Sequence, residues 1–497
     1  MTPFGKHRTT PQMSTPEKEA ENLLSHVLNA VINQEKCPQD PSIRPFTGTV
    51  FSVGGYVRDS ILGIQSKDLD IVVEMPDGAK RFTEALHNLF PAQTSRPLAL
   101  GAGYPIYHLS FKGDIHYQGK VFKTKDAEVD FADSQYESFP DPNTRQRITT
   151  FGGIADDIRR RDFTCNMLMR NISTGLLVDL ASSEGDIHRG ILRGHPKVPL
   201  DKTFSDDPLR MIRLIRFQCK FGWHIPFSVL KAVKRNAPRI QIVSGERIYG
   251  ELIKIISYGN LHRAIRLMDT TGLLPYVFPE VTALKGVHGK DHHAEGDAYV
   301  HTLIVTQNAK PTLIDQMAAL LHDIGKVQTR KQDGEKIRFH GHEPLSAEMT
   351  DVVLRRLKFD LDSITTIKKV ISFHLRACNY TEWSGKAVRK FIRDCGDELD
   401  SILNLMEADV LGCFKPDGKH HDNYVPILKE MIKKANEVPI TKEPVLDGQE
   451  IMDILKISPG PLIGKYMKEL RELDDEYAVT YFRKPTKDEA RAYLLTL

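Results

Sequence analysis

The 497-residue chain carries 68 lysines and arginines against 65 acids, with 40% hydrophobic and 27% charged residues. That composition is ordinary for a globular protein and the length exceeds one hydrophobic core, so two or more domains are expected. A formal net charge of +3 is too mild to mark the whole chain as a polyanion binder, so any nucleic-acid surface must be local.

Cys37, Cys165, Cys219, Cys378, Cys395 and Cys413 are scattered, which excludes the close pairing of a disulfide scaffold or a thiolate zinc site. No apolar run is long enough for a bilayer, and the start "MTPFGKHRTTPQMSTPEKEAE" lacks a signal-peptide core. The expectation is a cytoplasmic protein with a disordered leader and no membrane partner.

In chain order, residues 1–45 read as that leader plus an amphipathic helix around "ENLLSHVLNAVIN". Residues 48–133 alternate strand-like runs ("TGTVFSV", "DLDIVVEM", "IYHLSF", "AEVDFA") with short helices, the pattern of an α/β head with a small mixed sheet, whose limits are set at 46–193. From about residue 155 onward the strands thin out and the helical period dominates. An all-α neck is expected over 194–285, a helical body over 286–415 and a helical tail over 416–497.

The densest stretch is "GGYVRDSILGIQSKDLD", residues 54 to 70. Gly54 and Gly55 sit between a strand and a helix, where backbone N–H groups can face an anion. Arg58, in the first helical turn, can add a bidentate phosphate contact. Asp68 and Asp70 are two apart where an apolar strand opens, so both carboxylates point to one side, a geometry suited to Mg²⁺ shared with substrate phosphates. A third carboxylate is available in "AEVDFA": Asp130, with Glu128 on the same face as the alternative.

Further along, "DDPLRMIRLIRF" reads as one helix in which Asp207, Arg210 and Arg213 follow at three-residue steps along a face. A carboxylate beside a guanidinium can select a base: it accepts from the exocyclic amine of C or A while the arginine donates to a ring acceptor. U and G place oxygens there and are rejected. Residues 205 to 240 hold eight cations, Arg210, Arg213, Arg216, Lys220, Lys231, Lys234, Arg235 and Arg239, against two acids. This local excess is the expected track for an RNA backbone.

In the helical body, "YVHTLIV", "LLHDIGK", "RFHGHE", "SFHLRA" and "MEADVLG" supply His301, His322, Asp323, His342, His374 and Asp409. Adjacent His and Asp within an apolar helix need polar partners, and a metal shared with a distant His and Asp provides them. Lys326 is placed to steady a phosphate.

The glycine turn, Val-Arg-Asp, a second glycine and Asp-x-Asp together resemble the head of class II CCA tRNA nucleotidyltransferases and bacterial poly(A) polymerases. The resemblance implies a nucleotidyltransferase head, with Asp68, Asp70 and Asp130 catalytic. It implies roles at the ribose and triphosphate for Arg161, Asp162 and Asn166 in "RRDFTCNML", and hinge support from Asp179 and Asp186 in "VDLASSEGDI". Asp206 and Asp130 stand where the family has Glu, and Gln135 where it has Arg. The His/Asp series resembles the HD phosphohydrolases, whose activities include 2′,3′-cyclic phosphodiesterase and phosphatase; it implies a divalent metal on His301, His322, Asp323 and Asp409, with His342 and His374 as further ligands. The tail "VLDGQEIMDILKISPGPLIGKYMKEL" resembles the terminal segment of HD-bearing CCA enzymes.

The implied function is addition of C, C and A to tRNA 3′ ends from CTP and ATP, releasing pyrophosphate. Rival readings are a poly(A) polymerase, an enzyme adding only CC or only A, and an HD phosphohydrolase whose head merely binds RNA.

Overall fold

The computed structural model describes residues 15–36, 47–101, 103–140, 147–288, 296–334, 336–377, 383, 385–415, 417–437, 444–481 and 483–497. The leader, Cys37 and Cys378 lie outside the described residues. The chain forms two compact units, Met1–Val243 and Ser244–Leu497. The division falls inside the stretch read from sequence as the neck.

Among its described residues the first unit contains eleven strands: β1 (Thr49–Val53), β2 (Leu69–Glu74), β3 (Leu98–Leu100), β4 (Ile106–Ser110), β5 (Ile115–Tyr117), β6 (Lys120–Phe122), β7 (Glu128–Asp133), β8 (Gln135–Ser138), β9 (Ile148–Phe151), β10 (Met169–Asn171) and β11 (Leu177–Val178). Seven of them form the main sheet in the order β11-β10-β1-β2-β7-β4-β3. All neighbours are antiparallel except β2 and β7. The expected mixed sheet is therefore present, and β-branched and aromatic runs such as Thr49–Val53 build its centre.

Strand alternation gives the sheet two different faces. On one, Phe131 packs against Phe82 of the helix Gly78–Leu89, ring centroids 5.8 Å apart. On the other, Phe51, Val53 and Val72 pack against Ile154, Ile158, Met167 and Met169. Asp70 shares this second face with Val72, two residues on.

The helix Pro16–Lys36 buries Ala20, Leu23, Leu24, Val27 and Leu28. Its Glu21 accepts from Ser52 Oγ at 2.6 Å and Tyr56 Oη at 3.0 Å. After the sheet come the helices Leu200–Asp206, Leu209–Phe221 and Phe227–Asn236.

The second unit is helical apart from the two-stranded ribbon Lys331–Asp333 with Lys336–Arg338 among its described residues. Its body includes the helices Ala298–Asn308, Leu313–Leu321, His342–Arg356, Leu361–Phe373 and Leu399–Gly412. Farther on, Leu446, Ile451, Leu470, Ala490 and Leu494 form a small separate core beneath the tail helices. Pro461 stands in the first turn of Pro461–Thr480, where its missing N–H costs nothing. Among the described residues no helix is long and apolar enough to cross a membrane.

Candidate active site in the head and candidate metal centre in the helical body

The parallel register pairs Asp70 with Asp130, and the antiparallel β4–β7 register sets His108 opposite Asp130. Three polar side chains thus form one row across three strands. Of the two candidates for the third carboxylate, Asp130 is the one opposite Asp70; Glu128 stands opposite Ser110. Asp68 is exposed, one residue before β2.

Solvent reaches Asp70, but the surrounding protein desolvates its carboxyl, and with Asp130 and Asp68 beside it the pKa is pushed up to about 6 against the pull of Arg161. Carboxylates that raise one another in this way lose that repulsion when they share a cation, so the donor set fits a hard divalent ion.

Gly54 closes the site from the other side. Its φ of 69° belongs to the left-handed region, and a Cβ there would lie 3.2 Å from Arg161 Nη1 and 3.8 Å from Asp70 Oδ2. Only a glycine leaves this gap between an arginine and a carboxylate without strain. The Gly54 N–H, however, donates to the Leu168 carbonyl at 3.3 Å, so it is spent on the sheet and does not face an anion.

Arg161 is held by Asp157, which is fully buried and accepts from Arg161 Nη2 at 2.8 Å and Arg160 Nη2 at 2.6 Å. Burial alone would raise the Asp157 carboxyl, but the two guanidiniums hold it below its ordinary value. Asp157 belongs to none of the motifs legible in the sequence, although its i to i+4 spacing to Arg161 is visible there.

Arg58 requires a correction. Instead of facing a phosphate it is 4% exposed. It donates to Asp59 Oδ1 at 2.7 Å and to Asn166 Oδ1 at 2.5 Å, and its Cζ lies 4.9 Å from the Phe221 ring and 5.5 Å from the Phe217 ring. Phe217 and Phe221, on one face of the helix Leu209–Phe221, cover the guanidinium.

Asn166 in turn donates to Asp162 Oδ1 at 2.9 Å, and Arg213 donates to Asp162 Oδ2 at 2.8 and 2.6 Å. Burial would raise the Asp162 carboxyl; Arg213 and the donors from Asn166 and the Phe163 amide hold it well below the carboxylate range. Asp162 and Asn166 therefore form one buried network with Arg58, which half-buried Arg213 joins from the solvent side.

The base-selecting pair differs from expectation as well. Asp207 is extended (φ −138°, ψ 97°) between two helices, because Pro208 disfavours the α conformation before it. Its Oδ1 caps the second helix through the Leu209 amide at 3.3 Å. Asp207 and Arg210 consequently do not share a helical face. Arg210 donates to the Arg160 carbonyl at 2.5 Å and the Thr203 carbonyl at 3.2 Å.

The cation track is also narrower than its count suggests. Arg216 is buried, Lys220 lies 3.6 Å from Asp59, and Arg239 donates to the Ser205 carbonyl. Lys231, Lys234 and Arg235 lie on Phe227–Asn236, whose solvent side carries them, with Arg235 paired to Asp201. Asp179 caps the helix Ser183–Arg189 through the Ser183 amide, and buried Asp186 ties Thr164 Oγ1 to Arg193.

In the second unit all six expected residues converge. His301 Nε2 lies 2.9 Å from Asp409 Oδ1 and 3.7 Å from Asp323 Oδ2; His322 Nε2 lies 3.2 Å from Asp323 and 3.7 Å from Asp409. His342 Nε2 is 3.2 Å from Asp323 Oδ1, and the His374 ring centroid is 5.2 Å from that of His322.

The opposite ring nitrogens, Nδ1 of His322, His342 and His374, meet the carbonyls of Ala319, Phe339 and Ile371 at 2.6 to 2.9 Å. Carbonyls only accept, so Nδ1 carries a proton and each Nε2 faces inward; burial pulls the His322 pKa down but Asp323 and Asp409 raise it to about 9, and a metal at Nε2 would displace that second proton. Among the described residues, the buried Nε2 atoms of His322 and His342 and both Asp323 oxygens have no hydrogen-bond partner of good geometry, which is the deficit a cation removes. Desolvation, followed by His322 and His342 nearby, pushes the His374 pKa down to about 3 and keeps its ring neutral. Two sets of residues, His301–His322–Asp409 and His322–Asp323–His374, each bring their ligand atoms within 4.8 Å of one another. Lys326 Nζ lies 2.6 Å from Asp323 Oδ2.

Comparison with known proteins finds a family match for the region around each site. Residues 50–193 match the poly A polymerase head domain family and 301–411 the HD domain family. Successive stretches of the chain thus match a poly A polymerase head and an HD domain. Residues 222–285, which follow the head, match the probable RNA and SrmB-binding site of polymerase A.

The CC-adding tRNA nucleotidyltransferase of Thermus thermophilus is 28% identical over 464 residues, covering 90% of this chain and 93% of that protein. The A-adding tRNA nucleotidyltransferase of Deinococcus radiodurans is 26% identical over 468 residues, covering 91% and 96%. The fold is shared with the Thermotoga maritima CCA-adding enzyme solved with tRNA, TM-score 0.57 at 19% identity, over 96% of this chain and 97% of that one.

Proposed function

We propose that the protein is a cytoplasmic tRNA nucleotidyltransferase that adds C, C and A to tRNA 3′ ends from CTP and ATP and releases pyrophosphate. The observation that carries this reading is the Asp70–Asp130 pair beside Gly54 and Arg161. Mg²⁺ held by Asp68, Asp70 and Asp130 would neutralise the triphosphate and favour ionisation of the attacking 3′-hydroxyl.

Gly54 leaves room for the nucleotide to approach the carboxylates, with Gly55 next to it opening the helix. Arg161, steadied by Asp157, meets the phosphates, while the Asp162–Asn166–Arg213 network stands behind it. Base choice is assigned to Asp207 and Arg210, with Arg210 exchanging its Arg160 and Thr203 carbonyl acceptors for the ring acceptor of C or A. Lys231, Lys234 and Arg235 supply charge for the tRNA backbone. The domain limits proposed are 46–193 for the head, 194–285 for the neck, 286–415 for the HD body and 416–497 for the tail.

A second reading, addition of CC alone or of A alone, is favoured by the two relatives that match nine-tenths of the chain, one CC-adding and the other A-adding. One assay separates these: the purified protein with tRNA transcripts ending before C, after CC or after CCA, each labelled nucleotide supplied separately. Completion of all three positions supports the first reading; arrest at CC, or addition of A only to transcripts that already end in CC, supports the second. Long A tails would sink both.

The HD cluster supports a separate metal-dependent phosphohydrolase activity on 2′ or 3′ phosphates. Release of phosphate from 3′-phosphorylated RNA, or opening of a 2′,3′-cyclic end, tests it.

A further inference from the structure

His108 lies outside every motif in the head, yet it touches the site. Its Nδ1 is 2.8 Å from Asp130 Oδ1 and its Nε2 is 3.1 Å from Ser110 Oγ. A carboxylate can only accept, so Nδ1–H donates to Asp130, and Nε2 meets the Ser110 hydroxyl. Ser110, two residues on, faces the same side of β4 as His108. The two strands thus build a chain, Ser110 to His108 to Asp130.

Asp130 needs such a chain. Its side chain is 45% exposed, and the hydrogen bond from His108 ties it to the neighbouring strand. A carboxylate on a strand rotates about two bonds, and only some orientations turn an oxygen toward Asp70. The Nδ1–H holds Oδ1 toward β4 and leaves Oδ2 and the second Oδ1 lone pair for a ligand. Imidazole–carboxylate pairs outside the direct ligand shell set ligand orientation in the same manner.

We propose that His108 is a positioning residue for the head: braced by Ser110 at its other ring nitrogen, it holds the Asp130 carboxylate in the orientation that lets Asp130 and Asp70 share one divalent cation. This rests on reading the carboxylate row as the nucleotidyltransferase cation site.

The test is titration of full-length protein with Mn²⁺, with free Mn²⁺ followed by electron paramagnetic resonance. Binding lost in Asp70→Asn defines the share belonging to the head, as distinct from the HD site. His108→Phe keeps a ring and removes the donor; His108→Asn keeps a donor near the Nδ1 position. Expected is a weakening of the head share by about tenfold or more in the Phe variant, recovered to within about threefold in the Asn variant. Unchanged Mn²⁺ binding in His108→Phe, or equal weakening in both variants, overturns the proposal.

An unchanged HD share serves as the internal standard, and a near-ultraviolet circular dichroism spectrum and melting curve matching wild type show that the first unit is folded. If His108→Phe does not fold, Ser110→Ala takes its place: a smaller weakening in the same direction supports the proposal and none overturns it. If the wild-type protein adds no nucleotide while His108→Phe still weakens Mn²⁺, the functional reading falls and the positioning role stands. Nucleotide addition with Mn²⁺ binding indifferent to position 108 keeps the functional reading and removes the positioning role.

Discussion

Asp70 and Asp130 face each other across the only parallel pairing in the main sheet of the first unit. Side-by-side carboxylates on adjacent strands repel, and a shared cation relieves that repulsion. Replacing either by Asn should lower nucleotide addition by roughly three orders of magnitude, the size of effect expected when several kcal/mol of charge stabilisation is lost. The fold should survive, because an amide removes repulsion. Single-turnover incorporation together with a melting curve for each variant checks both halves.

A pH dependence follows from the same pair. Asp70 is raised to about 6 in the folded protein from an unfolded value near 4, so between those values the folded state binds more protons than the unfolded one. Stability contributed by this group is therefore present below about pH 4 and falls as pH rises through about 6. Asp133, also pushed up to about 6 by burial, titrates in the same window. The Asp70→Asn variant should show a shallower decline in melting temperature from pH 4 to 7, and added Mg²⁺ should stabilise wild type more at pH 7 than at pH 4.5. An identical slope in the variant would remove Asp70 as the source.

Gly54→Ala places a methyl group between Arg161 and Asp70 in a left-handed backbone. A cost of about 1–2 kcal/mol from the backbone alone is expected, with the KM for nucleotide rising as the gap closes. Steady-state kinetics on CTP and a denaturant titration measure the two effects independently.

Arg58→Ala should destabilise the first unit by about 3 kcal/mol, because the Asp59 carboxylate and the Asn166 side-chain oxygen are left buried without their donor. Lys should recover little, since a single ammonium cannot reproduce the guanidinium that lies against Phe221 and Phe217. Equilibrium unfolding of the three proteins decides it.

In the second unit, Asp323→Ala should abolish metal co-purifying with the HD cluster while nucleotide addition to tRNA continues. Elemental analysis of the purified protein and the incorporation assay run on the same preparation test this. Retained metal in Asp323→Ala would contradict the assignment.

Much of this was legible in the sequence because it depends on short-range spacing. Strand alternation carried Asp70 to its face, and apolar context made the His322–Asp323 pair conspicuous; both are set within a few residues. The role of Arg58 was not legible, since its burial depends on Phe217 and Phe221, more than 150 positions away in the chain. Helical spacing also misled at Asp207, where Pro208 interrupts the period that the neighbouring apolar residues suggest. His108 had a local signal, a polar residue in the apolar run "IYHLS", but its meaning lay in the register with β7.

The link from buried Arg58 through Asn166 and Asp162 to half-buried Arg213 fastens the glycine turn beside Asp70 to the helix that begins at Leu209. On the proposed function, discrimination between nucleotides and catalysis are then parts of a single mechanical assembly. Substitutions at Phe217 or Phe221, side chains that cover Arg58 at one end of this link, should alter fidelity, making misincorporation of U or G an inherited property of core packing.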